Sequence, residues 1–222
     1  MQKFDFSIFN SKKELETSLK HTKKNYRPYD PGSYLYRKVV EYKFANKFSD
    51  DFIELLYVTL AAWNMNSRGA KLEEFPTFCK SIKKYQDDFE KLSKLTIGDI
   101  DGQKEILRKL FFELKLVAPE KPPLVTFSKT LHFILPNLIA PIDRRYTIRF
   151  FYGNSNNKCF KSSETQFETF WEIESAFSKF AKTKDLSQYI DDVWNRNIPK
   201  IMDNAIIGKI SIEREKEKQE SK

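Results

Sequence analysis

The stretch SKTLHFILPNLIAPIDRRYT, residues 128–147, decides how this chain folds. Leu124, Phe127, Leu131 and Leu135 recur at intervals of three and four, so they share one face of a helix. Pro136 ends that pattern, and Pro136 and Pro141 bracket a reversal. Asp143 then stands before a new helical segment, where a carboxylate caps by accepting backbone N–H bonds. The stretch therefore reads as helix, turn and helix.

The same pattern extends outward in both directions. Residues 11–27 form a basic segment with a short helical core, broken by the prolines and glycine of Tyr26–Gly32. A partly periodic segment follows from Ser33 to Lys47. Ser49, Asp50 and Asp51 open FIELLYVTLAAW, a helix apolar nearly all round and hence predicted to be central in the core. It is expected to close near Asn64–Gly69, with Gly69 as the left-handed cap. Shorter helices are predicted over 70–85, 86–95 and 102–117.

Beyond Gly153, a capping box from Ser163 to Gln166 predicts a helix that buries Phe167, Phe170, Trp171, Phe177 and Phe180. A second box, Asp185 to Gln188, predicts a helix carrying Leu186, Ile190, Val193 and Trp194. Pro199 suits the first turn of a last helix, and the charged tail over 211–222 is expected to fray. With no internal repeat and no alternating strand, the class is all-α: a compact multi-helix domain spanning 1–210.

Composition narrows the function. The chain has 222 residues, enough for a substantial core, and 20 Phe, 10 Tyr and 3 Trp to fill it. Only 6 glycines argue against a phosphate-cradling glycine loop. The net charge of +8 predicts attraction to polyanions, with nucleic acid first, although 31 acidic residues are interspersed. Cys79 and Cys159 are far apart and read as reduced thiols. With His21 and His132 the only histidines, no metal centre is expected. The opening MQKFDFSIFN does not resemble a secretory signal, and LLYVTLAAW is too short to span a bilayer. The expectation is a cytoplasmic protein without membrane contact.

Lys129 is the unusual residue of the opening stretch. It lies off the main apolar face but between Val125 and Phe133, four residues away on either side. On the ordinary reading its stem covers apolar surface while the ammonium stays in water. If another helix covers that second stripe, the ammonium is desolvated, and a desolvated lysine can serve as an amine nucleophile. Asp143 could then shuttle protons, whether or not it also caps. A separation within ~6 Å at a cleft separates the two readings.

Lys129-Thr130-Leu131-His132-Phe133, followed by Ile142-Asp143-Arg144-Arg145, resembles the active-site region of the helix-hairpin-helix DNA glycosylases. It is most similar to the archaeal and bacterial 8-oxoguanine glycosylase/lyases. The resemblance implies that Lys129 attacks the sugar C1′ to form a Schiff base, with Asp143 assisting and no cofactor. It also implies helical lobes at about 50–118 and 119–210, with 1–49 packed on them. Leu55 to Ala70 is similar to the family's first core helix and its DNA-facing turn, which implies Asn64, Asn66, Ser67 and Arg68 as nucleic-acid contacts.

The resemblance covers roughly residues 50–152, with departures. Pro122-Pro123-Leu124-Val125-Thr126-Phe127 replaces the family's glycine-rich hairpin, and the interval from Lys129 to Asp143 is shorter. Arg145 stands where the family usually has histidine.

Arg144, Arg145 and Arg149 add a basic group in which Arg145 and Arg149 lie one turn apart, within reach of a phosphate backbone or of acidic neighbours. Two functions follow: a DNA-repair N-glycosylase/β-lyase, or a non-enzymatic helical protein that binds nucleic acid or protein.

Overall fold

The computed structural model describes residues 9, 11–25, 31–66, 70–153 and 156–220. Ten α-helices occur among them, and the only β-pairing is an isolated bridge between Leu72 and Val117. They are α1 (Lys12–Lys24), α2 (Pro31–Glu41), α3 (Asp50–Leu60), α4 (Phe75–Lys84) and α5 (Gln86–Leu92). Then come α6 (Lys104–Glu113), α7 (Leu124–Ile134), α8 (Arg149–Tyr152), α9 (Ser163–Thr183) and α10 (Ile198–Glu220). The all-α class is thus observed.

The centre is α7, not α3. Every residue of α7 except Val125 is buried, because α2, α3 and α9 all pack against it. α3 buries Phe52, Ile53, Leu56 and Leu60 but leaves Val58 53% exposed, so apolar composition overstated its enclosure. α9 buries Phe167, Phe170, Phe177 and Phe180, and Phe127 meets Phe170 edge-on at 5.1 Å. Buried apolar residues from Phe9 to Ile210 form one contiguous cluster.

Both ends of α7 are satisfied from elsewhere in the chain. At its start the Gln166 side chain accepts the Leu124 N–H at 3.2 Å. At its end Lys47 donates to the carbonyls of Phe133 and Ile134 at 2.8 and 2.9 Å. A cation there also suits the negative end of the helix dipole. Gln166 is therefore not the far partner of a capping box. Ser162, one residue before the predicted cap, opens α9 by accepting the Thr165 N–H at 3.1 Å.

Other local expectations are corrected. The break after the first helix is observed, since α1 ends at Lys24, but Pro31 and Gly32 belong to the next helix and begin α2, where proline costs no hydrogen bond. α6 stops at Glu113, because the next residues pair elsewhere: Lys115 donates to Ser81 Oγ, and Val117 bridges Leu72. Asp185 accepts the Ser187 N–H at 2.9 Å, but only a 3₁₀ turn, Ser187–Tyr189, follows, and Asp191 then accepts three backbone N–H groups that a continuing helix would need. Ile190 and Val193 consequently lie exposed. α10 runs through the charged tail to Glu220, with Arg214 and Glu217 engaging Arg145 and Arg149. The predicted cap Gly69 lies outside the described residues.

Candidate active site

Asp143 reaches Lys129 because the reversal after Pro136 folds back along α7. Three contacts set that register. His132 Nδ1 lies 2.7 Å from the Ile139 carbonyl, the Ile142 N–H donates to Ser128 Oγ at 3.0 Å, and Lys129 Nζ donates to Asp143 Oδ2 at 3.3 Å. Asp143 is also the cap anticipated from its position, since Oδ1 accepts the Arg145 N–H at 2.7 Å. One carboxylate oxygen caps while the other faces the lysine.

Lys129 is only 5% exposed, so it does not extend into open solvent. Its ammonium lies 5.6 Å from the centroid of Trp63, which stabilises positive charge through the ring quadrupole. Burial acts to raise the Asp143 pKa. The Lys129 charge and the N–H groups of Arg145 and Tyr146 overcome it and hold the carboxyl below the usual carboxylate range.

Lys129, Asp143, Trp63 and Asn64 line a cavity of about 470 Å³, together with Thr22 from α1, Asn25 just after it and Ser211 from α10. The backbone turns into this cavity where α3 ends. Its helical course passes into a π-turn, Ala61–Met65, in which Asn64 takes φ +63°. Asparagine tolerates that left-handed conformation better than other residues with a Cβ. Trp63 is held by its Nε1–H, which donates to the Gly32 carbonyl at 2.9 Å.

A second charged pair occupies the same cavity, and the sequence reading missed it. Lys200 and Asp203, both on α10, form a buried ion pair. The Lys200 ammonium lies 4.3, 5.3 and 5.8 Å from the rings of Trp194, Trp63 and Tyr36. Burial disfavours charge on both partners, pushing Lys200 down and Asp203 up. The spacing of three residues on one helix was a legible sign of pairing. Only the aromatic enclosure shows that the pair faces the cavity.

Behind this wall lies His132. Its Nδ1 faces a carbonyl, which can only accept, so the proton resides on Nδ1 and Nε2 accepts from Tyr36 Oη at 3.1 Å. Tyr36 in turn accepts from Asn197 at 3.3 Å and stacks on Trp63. Burial, reinforced by the charges of Lys200 and Lys47, lowers the His132 pKa to about 3.

That value lies below the 6.5 of a free imidazole. Below 6.5 the unfolded chain gains a proton that the native state refuses, so stability present above that pH drains away as pH falls toward about 3. Wild type is therefore expected to lose more thermal stability between pH 7 and 5 than His132→Asn, which can still donate to Ile139 and carries no titrating group. Equal losses in melting temperature over that interval would refute the assignment.

The remaining predicted contacts divide. Asn64 lines the cavity, whereas Asn66 is exposed and is not part of the lining. Ser67 and Arg68 lie outside the described residues. Arg144 turns toward Asn157 at 3.2 Å and the Phe160 ring at 4.7 Å. Arg149 is held by Glu217 at 2.8 Å. Arg145 is exposed and is not part of the lining; its guanidinium lies 5.4 Å from the ring of Tyr146, which is.

No protein-family model, curated protein or solved structure matches this chain. Among the described residues, no cluster of His, Cys, Asp or Glu could hold a metal, and no helix is long and apolar enough to cross a membrane.

Proposed function

We propose that the chain is an N-glycosylase with β-lyase activity, acting in the cytoplasm on a damaged or abasic nucleotide of DNA. The observation that carries this reading is a buried lysine amine 3.3 Å from an aspartate at the wall of a cavity. A surface lysine with a capping aspartate some distance away would not support it.

The chemistry divides between the two groups. Asp143, ionised at neutral pH, accepts a proton from the Lys129 ammonium and frees the Nζ lone pair. That pair attacks C1′ and the bond from C1′ to the base breaks, the base leaving with the proton that Asp143 took. The C1′–O4′ bond then opens to the protonated imine, O4′ taking a proton from the nitrogen, whereas at an abasic aldehyde the amine adds to the carbonyl and water leaves. The resulting imine acidifies C2′–H; loss of that proton expels the 3′ phosphate and cuts the strand. The nucleotide must leave the stack to reach the cavity, and Trp63 offers an aromatic surface there.

Borohydride reduction during incubation with an abasic duplex tests the reading, because it converts the imine to a stable covalent adduct. Wild type is expected to form the adduct. A chain that binds DNA with a steep salt dependence but never forms it would instead be the non-enzymatic binder. Asp143→Asn separates the two duties of that residue. Asparagine can still cap, so the melting temperature is expected to change little, while trapping slows by about 10²–10⁴-fold for loss of the proton acceptor. Trapping at the wild-type rate would remove Asp143 from the chemistry.

A further inference from the structure

Two arginines that the reaction above leaves unused gather around Tyr146, a residue of the cavity wall. Tyr146, in the turn after Asp143, lines the cavity. Two guanidiniums flank its ring: Arg145 Cζ lies 5.4 Å from the centroid and Arg214 Cζ 5.5 Å. Arg214 arrives from α10, and its Nη2 donates to the Arg145 carbonyl at 3.1 Å. Holding like charges together costs Coulomb energy unless an anion offsets it.

The neighbouring carboxylates are engaged with other cations, and Glu217, shared with Arg149, offsets Arg214 only in part. Glu213 faces Lys209 at 3.6 Å, Glu215 faces His21 at 3.3 Å, and Glu217 grips Arg149 at 2.8 Å. Asp143 is engaged by Lys129 and by the Arg145 N–H. Among the described residues, no salt bridge joins Arg145 or Arg214 to a carboxylate. Burial, then the charges of Arg145 and Arg149, press the Arg214 pKa below its ordinary value, with Tyr146 and Glu217 opposing. A guanidinium stays protonated regardless, so the strain is relieved by binding an anion.

We propose that Arg145 and Arg214 form a phosphate clamp around Tyr146, at the wall of the Lys129 cavity, gripping the phosphate beside the nucleotide that enters it. The clamp rests on the nucleotide reading of that cavity. Each guanidinium presents a planar fork that matches two phosphate oxygens, and both lie within 5.5 Å of the Tyr146 ring centroid. It supplies a grip on the backbone that the proline-rich segment before α7, lacking the glycine hairpin, does not. Arg149 is excluded because Glu217 already occupies it.

The test uses a duplex containing tetrahydrofuran in place of one nucleotide, an abasic analogue that cannot form an imine. Arg145→Gln and Arg214→Gln are each expected to weaken its binding about tenfold, the loss of one charge-assisted contact. Each should also reduce the slope of log affinity against log salt by about one. Arg214→Lys should recover most of the affinity, and Arg149→Gln should change little.

Unchanged affinity in both Gln variants, equal loss in Arg149→Gln, or no binding by wild type would each overturn the clamp. A nucleoside 5′-monophosphate bound with the same dependence on Arg145 and Arg214 would uphold it and assign the phosphate to a single nucleotide. Because the analogue cannot react, its arginine dependence without a borohydride adduct retains the clamp and discards the Schiff base. An adduct without arginine dependence does the reverse.

Discussion

Gly208→Ala is expected to lower the melting temperature by roughly 10 °C, from a loss of about 3 kcal/mol in a chain of this size. A Cβ at Gly208 would lie 1.9 Å from the backbone oxygen of Ser18 and 2.7 Å from Thr22 Oγ1. The nearer obstacle is backbone, so no rotamer change relieves it, and α1 must move away from α10. That movement would disturb the bond from Thr22 Oγ1 to the Asn204 carbonyl and expose Leu15 and Leu19, which α1 buries. Because Thr22 also lines the cavity, affinity for the tetrahydrofuran duplex should fall with stability. Faster amide exchange across Lys12–Lys24 would locate the damage in α1. An unchanged melting temperature would show that α1 is not seated on α10 as described.

Lys129→Ala and Lys129→Gln are both expected to abolish borohydride trapping and to slow strand cleavage by at least about 10³-fold, since neither side chain has an amine to attack C1′. The structural cost should be smaller for Lys129→Gln, which keeps most of the buried stem, than for Lys129→Ala, which leaves a cavity. Asp143 keeps its cap bond to Arg145, and its side chain is 33% exposed, so water can solvate the carboxylate left behind. A loss of about 1 kcal/mol is the expected scale for a partly screened pair. A variant that melts near wild type yet cannot be trapped would therefore isolate the nucleophile. Undiminished trapping in either variant would place the reacting amine elsewhere, with Lys200 the next lysine in the cavity.

Much of the frame was legible because it depends on interactions within a few residues. Three- and four-residue spacing marked α7 and α9, and Ser49 and Asp143 cap as their positions implied. The misreadings share one cause. Gln166 reaches the start of α7 instead of its own helix, and Asp191 collects the N–H groups that would have continued a helix after Leu186. In both places a partner distant in sequence or a locally better turn displaced the expected bond. Arg149 shows the same limit: its spacing from Arg145 pointed to a shared phosphate, but Glu217 from α10 claims it.

By itself, the sequence determined an all-α chain with a helix–turn–helix at residues 124–152 and a capping carboxylate at Asp143. It also marked Lys129 as displaced from the main apolar face. The tertiary structure alone decided what surrounds that lysine. Asp143 comes to it through the contacts of His132 with Ile139 and of Ser128 with Ile142. Trp63 comes from α3's end, and Lys200 and Arg214 from α10. Helical periodicity records which face of one segment is apolar. It carries no information about which distant segment covers that face, because that choice is made by packing and desolvation across the whole chain.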